Sequence, residues 1–368
     1  MEPFRGNEEE NANTAVVDEA ARDTTLIPLQ YDITSYGADY DVEGLVKRLN
    51  RNDILIPKFQ RNYIWTIKEA SRFIESLLLG LPIPAIFLVR ERDSNKLLVI
   101  DGQQRLKTLQ FFYNGVFNPK ENENQNAVFK LIEVQKRFEE LTYNTLEERD
   151  RTKLNDSLIH AIIIRQEAPA NDDTSIYHIF DRLNSSGRTL TPQEIRTAIH
   201  HGRLIDTISE LNTYPLWRRI YGKENSRLKD QELILRFLAL FSESQTYEKP
   251  MNEFLNKYAE RNRNPTDITL EELRQTFRNT IDAVYFSIGS KAFRRGSALN
   301  AALFDSVMVG IAERLSKGPI NDFDQLREAY NVLVNNEVFL KSVLRATSDE
   351  VSVAGRIGKA LQAFEGVR

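Results

Sequence analysis

The apolar run Leu97-Leu-Val-Ile100 stops at Asp101-Gly102, and apolar spacing of a different period begins in the next residues. Four consecutive apolar residues suit a buried strand, whereas Leu106, Leu109 and Tyr113 recur at helical spacing within Gln103–Tyr113. A strand that meets a helix through one glycine turn fixes the direction of both elements. It also leaves the first amides of the helix without intrahelical partners. The same feature therefore constrains the fold and nominates a binding site.

The flanking pattern is α+β. Asp41–Leu49 sets Val42, Leu45, Val46 and Leu49 on one helical face, and Ile54–Ile56 reads as a short strand ended by Pro57. Lys68–Leu79 reads as a helix with Ala70, Phe73, Ile74, Leu77 and Leu78 as its stripe and Gly80 as its stop. Ile86–Arg90 and Leu97–Ile100 form a predicted hairpin around Asp93-Ser-Asn95. Val128–Leu158 reads as helical and heavily charged, and Ala161–Ile164 as a buried strand returning to the sheet. Beyond Ala168 helices dominate: Glu232–Phe241, Glu271–Ile288, Ala298–Leu315, Phe323–Val334 and a stretch ending near Phe364. Thr191-Pro-Gln-Glu194 is a capping box with proline at the first helical position. With Pro169–Asp173 as the linker, the expected division is a disordered acidic leader over 1–30, an α+β domain over 31–170 and an all-helical domain over 171–368.

Composition removes several classes of function. The 368 residues contain no cysteine, which excludes disulfides and thiolate metal sites and fits a reducing compartment. Arg5 and Glu8–Glu10 without an apolar run do not make a signal peptide, and Phe73–Val89 is too short and too interrupted to span a membrane. A cytoplasmic protein is expected. The net charge of −4 argues against a general nucleic-acid coat, so any DNA contact must come from a local patch. Arg218, Arg219, Lys223, Arg227 and Lys229, interleaved with Trp217 and Tyr221, are one candidate, and Arg294-Arg295 another, although a solvated helix end with acidic neighbours is the more usual explanation of such a run. His200 and His201 are adjacent and diverge by about 100° on a helix, so packing or surface roles are expected. There is no phosphate-binding loop of the G-x-x-x-x-G-K type.

The turn at Asp101–Arg105 has the chemistry of a phosphate cradle. A helix start offers free N–H groups and the positive end of its dipole, and Gly102 lets an anion approach. Gln103 and Gln104 supply amides, and Arg105 supplies a bidentate fork. Asp101 has three open readings: helix cap, metal ligand or contact to a sugar hydroxyl. One helix end contributes up to about 2 kcal/mol, and micromolar affinity needs roughly 8 kcal/mol. A second basic group must converge, and Gln60-Arg61 after the first strand is the candidate, with Tyr63 and Trp65 packing nearby.

These residues also carry a resemblance. Ile56–Trp65 (IPKFQRNYIW), Ser76–Pro84 (SLLLGLPIP) and Val99–Leu109 (VIDGQQRLKTL) resemble, in order, three signatures of the GmrSD-type N-terminal domain family. Phe180–Leu190 and Arg227–Phe237 resemble two later ones, so the likeness runs from about residue 38 to beyond 310. It implies a ParB/sulfiredoxin-like N-terminal domain followed by the all-helical domain. It also implies nucleotide binding and hydrolysis in modification-dependent (type IV) restriction or phosphorothioate-linked antiphage defence. The hydrolytic block of such members maps to Asp101, Gly102, Gln103, Gln104 and Arg105, and their Gln-Arg pair to Gln60 and Arg61. Larger members append an HNH nuclease domain, which needs further histidines. The four here are His160, His178, His200 and His201, so a stand-alone member without that nuclease is expected.

The expected function is a nucleotide-binding, NTP-hydrolysing sensor or regulator. Asp101 and Arg105 act as catalytic residues, with GTP a candidate nucleotide and Mg2+ a candidate metal. The nucleotide is expected at the junction of the two domains, sensed by Asn184 and Arg188. Two alternatives stand beside it: a non-catalytic module that binds a partner nuclease or toxin, and a DNA-nicking nuclease.

Overall fold

The computed structural model describes residues 16–17, 32–56, 63–91, 96–119, 127–168 and 191–368. The chain divides into two compact units, one of residues 30–189 and one of 190–368 together with 1–29. The expected linker at 169–173, and Asn184 and Arg188, lie outside the described residues.

β1 (Val16–Val17) belongs to the second unit. The first runs β2 (Asp32–Asp41), α1 (Val42–Asn50), β3 (Ile54–Leu55), α2 (Ile67–Leu79), β4 (Ile86–Arg90), β5 (Leu97–Asp101), α3 (Gln103–Asn114), β6 (Val116–Phe117), β7 (Ala127–Val128), α4 (Glu148–Asn155) and β8 (Leu158–Ala168). Local chemistry sets these limits. Asp41 opens α1 by accepting the Gly44 amide at 2.6 Å. Thr66 and Glu69 form a capping box at the start of α2, and Gly80 ends it in the left-handed conformation.

Five strands form one mixed sheet in the order β2–β8–β4–β5–β3. β2 runs antiparallel to β8, β8 parallel to β4, β4 antiparallel to β5, and β5 parallel to β3. Val42, Leu45, Leu77, Leu106, Leu109 and Phe112 of the helices share a core with Ile86, Leu88, Val99, Ile159, Ala161 and Ile163 of the strands. The alternate residues Val89, Leu98 and Ile100 are buried on the other face. Two apolar faces explain why the central strands read as continuous rather than alternating runs.

This unit departs from expectation in two places. β2, an exposed edge strand, has no counterpart among them; only Ala38 and Tyr40 pack against the core. Val128–Leu158 is helical only at α4 and at the short 3-10 turn Tyr143–Thr145. Carboxylates there serve the loop backbone instead: Glu139 accepts the Glu133 and Val134 amides at 3.1 Å, and Glu75 accepts the Gln135 amide at 2.6 Å. The apolar stretch Phe73–Val89 is the end of α2, a turn and β4, and among the described residues no helix is long and apolar enough to cross a membrane.

The second unit is mainly helical. Its longest helices are Lys229–Glu243, Asp267–Ser287, Ala301–Ser316 and Glu350–Phe364. Ala301–Ser316 is buried from Ala301 through Ala312, as expected of a helix surrounded by others. The unit is not all-helical, because β9 (Arg294–Arg295) and β10 (Ala298–Asn300) form a three-stranded sheet with β1. β1 pairs in parallel with β10, Val16 opposite Leu299, so the two described residues of the expected disordered leader lie in a strand. The capping box at Thr191–Glu194 is present.

Two ionic features inside this unit carry measurable consequences. Asp305 accepts Arg236 Nε and Nη2 at 3.1 and 2.6 Å and Arg356 Nη2 at 3.3 Å, all three side chains being almost completely buried. Asp305→Ala strands two guanidinium groups and is expected to cost about 3–5 kcal/mol, read as an earlier urea transition. His200 is buried beside Arg196 and Arg263; burial first, then these cations, pull its pKa from 6.5 to about 3. Between those values the unfolded chain binds a proton that the folded chain refuses, so stability falls as pH drops through that window, by at most about 1.4 kcal/mol per unit. His200→Gln is expected to flatten the dependence of the urea midpoint between pH 7 and 5.

Candidate functional site

β5 turns into α3 at Gly102, which adopts φ 101° and is buried. A Cβ there would collide with the Ile86 side chain of β4 as well as strain the backbone. The space expected for an approaching anion is thus filled on that side by Ile86, and the glycine is required by close packing of strand and turn. No side chain caps α3. Among the readings open for Asp101, the cap is excluded: its carboxylate turns to Arg105 instead, with Oδ2 2.7 Å from Nη2.

Arg105 is more engaged than a free phosphate fork. Its Nη1 donates to the carbonyls of Pro84 and Ala85, the latter at 3.0 Å, while Nη2 holds Asp101. The side chain is 12% exposed against 54% for Asp101, so the arginine is sunk in the turn and its carboxylate partner faces solvent. The two carbonyls hold one edge of the guanidinium still. Among the described residues the other edge is paired with a carboxylate that water reaches.

Gln104 has a role that its amide chemistry alone does not specify. Its Oε1 accepts the amides of Ile64 and Trp65 at 3.0 and 3.3 Å. One turn on, Thr108 Oγ1 donates to the Gln104 carbonyl at 2.7 Å and receives the Tyr63 hydroxyl at 2.7 Å. Burial, only partly offset by that bond to Thr108, pushes the Tyr63 hydroxyl up to about 12, so it remains a donor. Tyr63-Ile-Trp65 is therefore fastened to the first turns of α3. Gln60 and Arg61, which precede it, lie outside the described residues. Gln103 is buried and engaged. Lys107, half-buried on the Gln103 side of α3, has its pKa lowered by burial; it stands inside the signature block, but its exposure could not be read from spacing.

Other candidates separate clearly. Arg218 bonds Asp230 Oδ2 at 2.9 Å and Asn212 at 2.8 Å, and Arg227 bonds Glu194 at 3.1 Å. Trp217 and Tyr221 are buried. The basic run is thus largely spent on internal pairs that join helices, and Arg294 likewise donates to the carbonyls of Ser297 and Tyr221 at 2.6 and 2.8 Å. Among the described residues no three His, Asp or Glu side chains converge as a metal-ligand set.

Residues 42–201 match the family model described as the GmrSD restriction endonuclease, N-terminal domain. An uncharacterized protein of Methanocaldococcus jannaschii is 30% identical over a stretch covering 20% of this chain and 16% of that protein. The chain therefore spans under a fifth of that relative's length. Strand, glycine turn and helix at Asp101–Arg105, and the Tyr63–Trp65 segment fastened to them, all fall inside the matched region. Residues 42–201 therefore carry a GmrSD-type N-terminal domain.

Proposed function

We propose that this domain binds a nucleoside triphosphate, with GTP a candidate, at the start of α3 and hydrolyses it as the sensor of a bacterial restriction or antiphage system acting in the cytoplasm. The sheet is read as ParB/sulfiredoxin-like on the strength of the strand–turn–helix that joins β5 to α3. One observation carries the reading. An uncapped helix start lies beside an arginine held on one edge by two carbonyls and on the other by a solvent-facing carboxylate. An incoming phosphate need displace only Asp101 to take the Nη2 edge, and the exchange is nearly neutral because one charge-assisted pair replaces another. Arg61 would then supply the second positive charge that affinity requires.

The released Asp101 carboxylate faces the same ligand, where it can orient the attacking water. Mg2+ fits this donor set in the manner of sites that use one or two carboxylates plus substrate phosphates, where it would neutralise phosphate charge. The engagement of Asp101 by Arg105 favours a second reading, a non-catalytic module that reports nucleotide binding to a partner nuclease or toxin.

Thermal-shift titration with GTP and ATP, with and without magnesium, followed by phosphate release, separates the two. The full chain is expected to gain several degrees in Tm with a triphosphate. Asp101→Asn should keep or improve affinity while turnover falls by about 100-fold; Arg105→Lys, which keeps the charge but loses the fork, should weaken binding about 10-fold. Binding without turnover in the wild type would leave the regulatory reading. No binding at all would end both.

A further inference from the structure

Gln104 was expected to meet a ligand with its amide, yet the structure spends that amide on the chain. Oε1 accepts two backbone N–H groups, Ile64 at 3.0 Å and Trp65 at 3.3 Å. Two donors fix which end of the amide faces them, because Nε2 in that place would set hydrogen against hydrogen. A second fastening lies one turn on. Thr108 Oγ1 donates to the Gln104 carbonyl at 2.7 Å, which leaves a lone pair for the Tyr63 hydroxyl, also 2.7 Å away. Rings hold the same segment from either side: Tyr63 stands edge-on to Phe111 at 4.9 Å, and Trp65 edge-on to Phe73 of α2 at 5.6 Å. Ile64 between them is 60% exposed, so its own side chain does little to hold the segment there. The Gln104 oxygen holds its backbone instead.

This fastening governs the chain that arrives at it. Ile54 and Leu55 of β3 pair with Leu97 and Leu98 of β5, and Tyr63 is tied to α3. Residues 57–62 lie outside the described residues, but both of their ends are anchored on the two elements that Gly102 joins. Arg61 is two residues before Tyr63. Connectivity alone keeps its Cα within about 7 Å of the Tyr63 Cα, which leaves the guanidinium in range of the first turn of α3. An arginine on an untethered arm must order that arm when it binds, whereas an arm already fastened has met most of that cost.

We propose that Gln104, with Thr108 and Tyr63, is a positioning device that sets the Arg61 arm against the start of α3. Two arginines then close on one terminal phosphate, Arg105 steadied by the Pro84 and Ala85 carbonyls and Arg61 by the Gln104 amide. The inference rests on the nucleotide reading above. It gives Gln104 a part in binding that passes through Arg61 rather than through a bond of its own to the ligand.

The test is a double-mutant cycle on nucleotide affinity, with the full chain titrated with GTP and ATP in magnesium buffer. Tyr63→Phe removes one hydroxyl, and Gln104→Leu removes the acceptor while keeping the bulk. Each is expected to weaken Kd about 5-fold, as fits the loss of one ordinary hydrogen bond. Arg61→Ala should weaken it about 10-fold or more. In the Arg61→Ala background neither Tyr63→Phe nor Gln104→Leu should change Kd by more than about twofold. Thr108→Val should match Tyr63→Phe, and Thr108→Ser should restore most of that loss. Latch variants that cost as much without Arg61 as with it, or that cost nothing, would overturn the inference and spare the nucleotide reading. An Arg61→Ala chain that binds as wild type does the same, since the arm then has nothing to position. A wild type that binds neither nucleotide removes both.

Discussion

The guanidinium of Arg105 ties three separate pieces of chain together: the Pro84–Ala85 segment that leads into β4, the last residue of β5, and the first turn of α3. Gly102 lets these pieces meet, because Ile86 occupies the place where any side chain would go. Gln104 and Thr108 add a fourth piece, the Tyr63–Trp65 segment. The signature Asp-Gly-Gln-Gln-Arg is thus first a joint. A ligand arriving there would meet groups whose positions are already fixed by packing, and such preorganisation is what makes a modest set of contacts selective.

The second unit solves a different problem with the same residue types. Asp230, fully buried, accepts from Asn212 at 3.0 Å, Arg218 at 2.9 Å and the Asn225 amide at 3.1 Å. Arg227 reaches back to Glu194, the capping-box glutamate, while the Thr191 hydroxyl donates to the Arg227 carbonyl at 3.0 Å. The signature Arg227–Phe237 therefore acts as a strut between helices. A basic run in sequence need not be a basic surface.

Legibility followed the number of faces that each element buries. β4, β5 and α3 could be read nearly to the residue, because strands covered on both sides are continuous apolar runs and α3 has one clear stripe. β2 could not, since it packs on one neighbour and shows water most of its length. The loop before α4 reads as helix in the sequence, yet its amides are held by carboxylates of Glu139 within the loop and Glu75 of α2. At the site, spacing identified Asp101, Gly102 and Arg105 but not the direction of the arginine, since its carbonyl partners lie about twenty residues upstream. The Asp39–His160 pair of β2 and β8 was invisible for the same reason on a larger scale, its members being 121 positions apart.

The pairing of Val16 with Leu299 has a consequence for how the molecule comes into being. During synthesis the partner strand of β1 emerges only after the whole sheet-bearing unit has been made. Until then Val16 and Val17 have no ladder to join, and closing so long a loop carries an entropy cost that grows slowly with its length. The small sheet is therefore a late event on the ribosome, a clasp that closes on Val16 and Val17 only after β10 has been made.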